Sequence, residues 1–366
     1  MKRILTIFGT RPEAIKLAPV ILELGKHPDL FDTLVCVTGQ HREMLDQVLE
    51  WFQISPDFDL DLMQPNQGLA EFAGRALVAV SGVLEKVRPD VVLVQGDTTT
   101  VVMGALAAFY QRIPVGHVEA GLRTSERYNP FPEEINRRMT SPLTTFHFAP
   151  TERAKAALLV EQVPAKDIFL TGNTVVDALM MTTRRPLDLD LGFKLGTRYP
   201  ILVTAHRRES FGAPFESLCL AMRDLVERNP EVEIVYPVHL NPNVREPVGR
   251  ILSGQQRIHL LEPMRYEHLA HLMAKVYLIL TDSGGIQEEA PVLGKPTLVM
   301  RETTERPEAI EAGTASLVGT DRNRIVAETE RLLYDESAYH KMSQASSPFG
   351  DGHAAERIVE VLMTRL

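Results

Sequence analysis

Short apolar runs alternate with longer amphipathic segments along the whole chain. The short runs predict strands at 4–8, 33–37, 91–95, 115–118, 145–149 and 168–170. A second series follows at 201–204, 233–238, 258–261, 277–280, 297–300 and 316–318. Each run leads into a helical period or a loop before one. Strands alternating with helices predict an α/β fold with parallel sheets covered on both faces. Two such series predict two doubly wound domains, with functional residues just past the carboxyl ends of the strands. The stretch "TTRRPLDLDLGFKLGTRYP", 182–200, breaks the alternation and is rich in charge, Pro and Gly, so it reads as a linker. The expected domains are therefore 1–181 and 182–349. An amphipathic helix in 350–366, after Gly350-Asp351-Gly352, either stays with the second domain or crosses back to the first.

Composition narrows the class. A chain of 366 residues with 44% hydrophobic content has room for more than one core. A net charge of −9 argues against a general nucleic-acid binder and leaves room for a local basic pocket. Cys36 and Cys219 are far apart and form no CxxC, which fits a reducing compartment without structural zinc. "MKRILTIFGTRPEAIKLAP" is too poor in apolar residues for a signal sequence and reads as a first core strand. "VVLVQGDTTTVVMGALAAFY" is interrupted by Gln95, Asp97 and three threonines, so it reads as strand, loop and helix instead of a membrane span. A cytoplasmic protein with neither membrane nor nucleic-acid partners is expected.

The positions just past each strand supply the chemistry. "GTRPEAIK" brings Arg11 and Lys16; then come Gly96-Asp97-Thr98 and Glu119-Ala120-Gly121; "NPFPEEINRR" carries Glu133 and Glu134. In the second series "AHRRES" brings His206, Arg207 and Arg208, and His239 follows the 233–238 run. "LILTDSGGIQEEAPVLGKP" supplies Ser283, Gly284, Gly285, Glu288 and Glu289, and "TTERPEA" adds Arg306. Glycine is a poor helix former. At a helix start, however, it lets a ligand approach backbone N–H groups that lack intrahelical partners and favour an anion. Singly, each residue has a plain structural reading: a cap, an ion pair, a core histidine or a turn. Jointly they put carboxylates at one sheet edge and basic groups with a Gly-Gly helix start at the other. That is a cleft with acid/base groups facing anion binders. No G-x-G-x-x-G follows the first strand and no P-loop is present, which disfavours NAD and the γ-phosphate of ATP.

"GTRPEAIKLAPV", "TGQH", "QGDTTT", "HVEAGLRT", "PFPEEINRR", "AHRRES" and "TDSGGIQEEAPVLGKP…TTERPEA" together resemble the non-hydrolysing UDP-N-acetylglucosamine 2-epimerases. The motifs stand in family order from Thr6 to about Gly350. The resemblance implies a GT-B fold, two Rossmann-like domains with the nucleotide between them. It implies interconversion of UDP-N-acetylglucosamine and UDP-N-acetylmannosamine through elimination of UDP to 2-acetamidoglucal and re-addition. It implies no cofactor, no metal and a homodimer. Positive charge and N–H donors around the departing pyrophosphate would come from Arg11, Lys16, Arg306 and the Ser283-Gly284-Gly285 turn. Asp97, Glu119, Glu133 and His206 would serve as acids and bases. By the resemblance, Glu289 holds the ribose hydroxyls.

The family also has members with a second, regulatory UDP-sugar region. Here it would include Gln40, Glu43, Asn66, Glu134, Arg207 and His239. Glu43 stands where relatives have a neutral Gln, and Asn66 where some have Arg. A carboxylate near a diphosphate repels it, so little or no activator requirement is expected. Two rival enzymes share parts of the pattern. A UDP-sugar glycosyltransferase gives no reason for three carboxylates past the first sheet. A hydrolysing 2-epimerase in its bifunctional form would continue into a sugar kinase. A non-catalytic UDP-sugar sensor has no need for Asp97, Glu119, Glu133 and His206 together.

Overall fold

The structure is a computed structural model and describes every residue except 40, 41, 65, 66 and 125, and except the side chains of 42 and 43. The chain divides into two compact units, Met1–Met181 with Phe349–Leu366, and Thr182–Pro348. The first holds β1 (Lys2–Phe8), β2 (Phe31–Val37), β3 (Phe58–Asp59), β4 (Val91–Gln95), β5 (Val115–Val118), β6 (Phe146–Ala149) and β7 (Ile168–Leu170). They pair in parallel in the order β3-β2-β1-β4-β5-β6-β7. The second holds β8 (Tyr199–Thr204), β9 (Val232–Pro237), β10 (Ile258–Leu261), β11 (Leu278–Thr281), β12 (Thr297–Val299) and β13 (Ala315–Leu317). Their order is β10-β9-β8-β11-β12-β13, again parallel.

Each expected strand is present, with ends moved by at most two residues. The addition is β3, whose two residues pair with Cys36 and Val37 and are too short to show as a pattern. The central strands are continuous Val/Ile/Leu runs because helices cover both sheet faces. All of β4 and β11 is buried. Strand order reverses between β1 and β4 in the first sheet and between β8 and β11 in the second. Loops leaving the strands on either side of such a point diverge and open a crevice.

The stretch read as a linker is partly regular. The helix Thr174–Arg184 runs into its start, and β8 takes its last two residues. Between them, buried Glu233 accepts the N–H groups of Gly196 and Thr197 at 2.9 and 3.0 Å and the Thr197 hydroxyl at 2.9 Å. Phe193 stacks on His259, with ring centres 3.6 Å apart. Phe349 and the C-terminal helix Ala354–Arg365 belong to the first unit. Asp177 Oδ1 accepts the N–H of Ala355 at 2.8 Å, and the Asn173 N–H donates to Phe349 O at 2.7 Å. Among the described residues no helix is long and apolar enough to cross a membrane.

One glycine fixes the path of the loop that carries Glu119. Gly121 has φ +94, and a Cβ there would lie 2.3 Å from the carbonyl oxygen of Ala154. Both the backbone conformation and the space exclude a side chain. Gly121→Ala is expected to destabilise the protein by about 3 kcal/mol or more. Thermal unfolding of the variant should show a clear loss of melting temperature, and an unchanged value would refute the packing argument.

Candidate active site

Both strand-order reversals carry a buried carboxylate that ties the two diverging loops together. In the first unit it is Glu13, in the helix Arg11–Leu24. Its Oε2 accepts the N–H groups of Gly9 and Thr10 at 2.9 and 2.7 Å, the second bond being half of a capping box. Its Oε1 accepts the hydroxyl of Thr98, from the loop after β4, at 2.6 Å. Burial pushes the Glu13 carboxyl above its usual range, and these hydrogen bonds pull it back. In the second unit it is Asp282, fully buried just after β11. Its Oδ2 accepts the N–H groups of His206 and Arg207, from the loop after β8, at 2.6 and 2.7 Å.

Glu119 follows β5 with φ +67, in the left-handed region. Nitrogen donors from separate parts of the chain face its carboxylate. Lys16 Nζ and Asn173 Nδ2 donate to Oε1 at 2.5 and 3.0 Å, and Gln95 Nε2 donates to Oε2 at 2.5 Å. Gly96 leaves space beside it, since a Cβ there would stand 3.7 Å from Glu119 Oε2. Lys16, expected on the diphosphate, is held by Glu119 in this structure. The donors come from stretches of chain remote from one another, so the carboxylate is fixed by the fold and not by its own loop.

Asp97 is partly exposed and accepts Arg137 Nε and Nη2 on Oδ2 at 2.8 and 2.7 Å. Its backbone carbonyl accepts Asn136 Nδ2 at 2.8 Å. Glu133 and Glu134 open the helix Glu133–Thr140 side by side, yet their surroundings differ. Glu133 is half-buried. Glu134 is 0% exposed, pairs with Arg138 Nε at 2.9 Å and Arg137 Nη1 at 3.4 Å, and accepts the N–H of Thr124 at 2.9 Å. It is a buried, ion-paired carboxylate of the first unit. Gln40 and Asn66 lie outside the described residues, as does the side chain of Glu43.

In the second unit the His206 ring lies with Nδ1 3.5 Å from Asp282 Oδ1 and stacks on the exposed His239, centres 5.3 Å apart. Arg207 Nη2 lies 3.8 Å from where a Cβ on Gly284 would be, so the bare backbone leaves room beside the guanidinium. The helix Gly284–Glu289 starts after Ser283, with Gly284 buried and Gly285 partly open. Its two glutamates also differ. Glu288 forms an ion pair with Arg306 Nε, which holds the guanidinium expected on the diphosphate. Glu289 is buried against the hydroxyl of buried Tyr266; burial and this carboxylate push the tyrosine well above its ordinary range. Arg11 opens its helix after β1, half-buried. Among the described residues no group of three His, Cys, Asp or Glu side chains is arranged to hold a metal ion.

The sequence pattern does not single out Glu13, Gln95, Asn173, Asp282 or Tyr266. Gln95 and Asp282 carry a usable signal, since each flanks a strand end beside a chosen residue. Asn173 and Tyr266 carry none, because what they touch is distant in sequence.

Two parallel doubly wound units, with carboxylates and basic groups at their points of strand reversal, define an enzyme of the GT-B fold class. The chain belongs to the UDP-N-acetylglucosamine 2-epimerase family, whose model matches residues 23–363. It is 57% identical over 369 aligned positions to the UDP-N-acetylglucosamine 2-epimerase of Yersinia pestis, covering 98% of each chain. Its fold matches the Neisseria meningitidis UDP-GlcNAc 2-epimerase bound to UDP-GlcNAc with a TM-score of 0.90 at 48% identity, covering 99% of this chain and 100% of that one. It also matches the Methanocaldococcus jannaschii enzyme in complex with UDP-GlcNAc and UDP, with a TM-score of 0.81 at 34% identity and 99% of each chain covered.

Beneath the Asp97 loop, His117 Nε2 meets the carbonyl of Gly96 at 2.7 Å, so that nitrogen carries the proton. His117 pairs with His147 across β5 and β6, and burial pushes both imidazoles down to about 4. An unfolded histidine titrates near 6.5. Between those values the unfolded chain binds protons that the folded chain refuses, so this contribution to stability is present above pH 6.5 and lost as pH falls towards 4. Two such groups give a slope of at most about 2.7 kcal/mol per pH unit. Melting curves should show the wild-type protein weakening across this window and a His117→Gln, His147→Gln double variant weakening less steeply. Equal slopes would contradict the assignment.

Proposed function

We propose that this protein interconverts UDP-N-acetylglucosamine and UDP-N-acetylmannosamine by inversion at C2, with elimination and re-addition of UDP. The C2 hydrogen is not beside a carbonyl, so it is hard to remove directly. When the C1–O bond to UDP breaks, its electron pair leaves with the diphosphate and C1 becomes oxocarbenium-like. C2–H then becomes acidic, and its electron pair forms the C1–C2 double bond of 2-acetamidoglucal as a base takes the proton. Reversal delivers a proton to the other face of C2 and re-forms the C1–O bond. Family membership and the relatives' bound UDP-GlcNAc support the substrate. The observation that carries the acid/base part is Glu119, a buried carboxylate fixed by Lys16, Gln95 and Asn173.

In this reading Asp97, Glu119, Glu133 and His206 are the proton-transfer groups. Arg11, Arg306, the Ser283-Gly284-Gly285 turn and Lys16 stabilise the departing diphosphate. Substrate draws Lys16 and Arg306 away from Glu119 and Glu288, or shares them. Glu289 takes the ribose hydroxyls, with Tyr266 beside its carboxylate. The elimination and re-addition move a proton and bonding electron pairs, never a hydride, so this route calls for no redox cofactor. The protein acts in the cytoplasm as a homodimer; a hollow lined by exposed Phe109 and Tyr110 with Ile113, Pro114 and Leu143, and by Arg112 and Thr145, supports a second copy on the first unit.

Incubation with UDP-N-acetylglucosamine in deuterated water, followed by proton NMR, tests the reaction. The expected result is UDP-N-acetylmannosamine, with deuterium at C2. Asp97→Asn, Glu119→Gln and Glu133→Gln should each lower turnover by roughly 10²–10⁴-fold while keeping UDP affinity. Net release of UDP with free N-acetylmannosamine would instead establish a hydrolysing enzyme. Absence of turnover in a folded preparation that binds UDP would overturn the catalytic reading.

A further inference from the structure

Asn173 lies in the turn between β7 and the helix Thr174–Arg184. Its side-chain amide makes hydrogen bonds of opposite sense. Oδ1 accepts the N–H of Val175 at 3.2 Å, the bond of a helix N-cap. Nδ2 donates to Glu119 Oε1 at 3.0 Å. The first bond settles which end of the amide is which. With Oδ1 facing an N–H donor, the NH₂ end is the one turned to the carboxylate.

The backbone beneath this amide is held as firmly. The N–H of Asn173 donates to the carbonyl of Phe349 at 2.7 Å. Gly172 and Gly350, with φ of +87 and +126, pack so closely that a Cβ on either would meet the other's Cα at 3.4 or 3.3 Å. Arg357, in the C-terminal helix, donates to the carbonyl of Thr171 at 3.0 Å. The returning C-terminal segment therefore clamps the Thr171–Gly172–Asn173 turn. The other donors to Glu119 divide the work differently. Gln95 holds Oε2, and Lys16 joins Asn173 on Oε1. An ammonium on a four-carbon stem can follow the carboxylate through many orientations. Two planar amides, one on each oxygen, fix its plane.

We propose that Asn173 is a positioning residue for the epimerisation: its amide sets the orientation of the Glu119 carboxylate, and the C-terminal return of the chain sets the amide. This rests on reading Glu119 as a proton-transfer group. A base about 1 Å out of place loses rate without losing substrate, so the effect belongs in kcat and not in KM.

Asn173→Asp separates this role from helix capping. Aspartate caps a helix as well as asparagine, so the Val175 bond survives. The donor to Glu119, however, becomes a carboxylate oxygen that repels it. When protonated, the same side chain donates again. The expected result is a kcat lower by about 10²-fold at neutral pH, with KM and UDP affinity kept, and a deficit relative to wild type that shrinks as pH falls. Asn173→Ser keeps a capping oxygen, adds no charge and is too short to reach Glu119. It should lose about tenfold in kcat without recovery in acid, and it decides the matter if the aspartate variant fails to fold. Circular dichroism and melting temperature establish folding for both. If wild-type enzyme converts substrate but folded Asn173→Asp and Asn173→Ser match its kcat, or lose KM instead, the proposal is overturned. If wild-type enzyme itself does not convert substrate, the reading of Glu119 falls, and this inference with it.

Discussion

A parallel sheet whose strand order reverses leaves two neighbouring loops with nothing between them, and each unit of this protein closes that gap with one buried carboxylate. Glu13 joins the loop after β1 to the loop after β4 by accepting from Gly9, Thr10 and Thr98. Asp282 joins the loop after β11 to the loop after β8 by accepting from His206 and Arg207. A buried carboxylate without donors is costly, and one with several is a strong clamp. The groups read as functional hang on these clamps. Asp97 sits one residue before Thr98, Lys16 one helical turn beyond Glu13, and His206 directly on Asp282. Loss of either clamp would disperse the groups of its own unit that are read as functional.

The carboxylates divide into two populations by what surrounds them. Glu13, Glu134 and Asp282 are buried, and each accepts at least one backbone N–H group. Asp97 and Glu133 keep partial exposure, and Glu119 is held at a short distance by side chains instead of backbone. The second unit carries basic groups and a glycine-led helix start at its strand ends, groups of a kind suited to an anion.

Much of this was legible in the sequence, for physical reasons. Strands buried on both faces must be continuous apolar runs, so β4 and β11 stand out even without periodicity. Residues just past such runs must lie at the sheet edge, which located Asp97, Glu119, His206 and Ser283. What sequence could not resolve was orientation. Glu133 and Glu134 are neighbours on one helix, and a rotation of about 100° per residue sends one towards the edge and the other into the core. Glu288 and Glu289 repeat the ambiguity, one pairing with Arg306 and the other lying against Tyr266. Asn173 reads as an ordinary turn residue, since its bond to Glu119 spans 54 positions. The two-residue strand β3 is set by pairing to β2 and has no local pattern to betray it.

The central claim, carried over from the proposed function, is that epimerisation at C2 proceeds through breakage of the C1–O bond and release of UDP from the sugar. Positional isotope exchange addresses it most directly. UDP-N-acetylglucosamine is prepared with heavy oxygen in the bridge between C1 and the β-phosphorus, incubated with enzyme, and the recovered sugar nucleotide examined by phosphorus NMR. Once UDP is free of the sugar, its β-phosphate can rotate and re-add through a different oxygen. The account predicts that label moves into the non-bridging β-phosphate positions on the timescale of epimerisation. Epimerised product with every label still in the bridge would contradict an account in which UDP comes free of the sugar and turns before it re-adds.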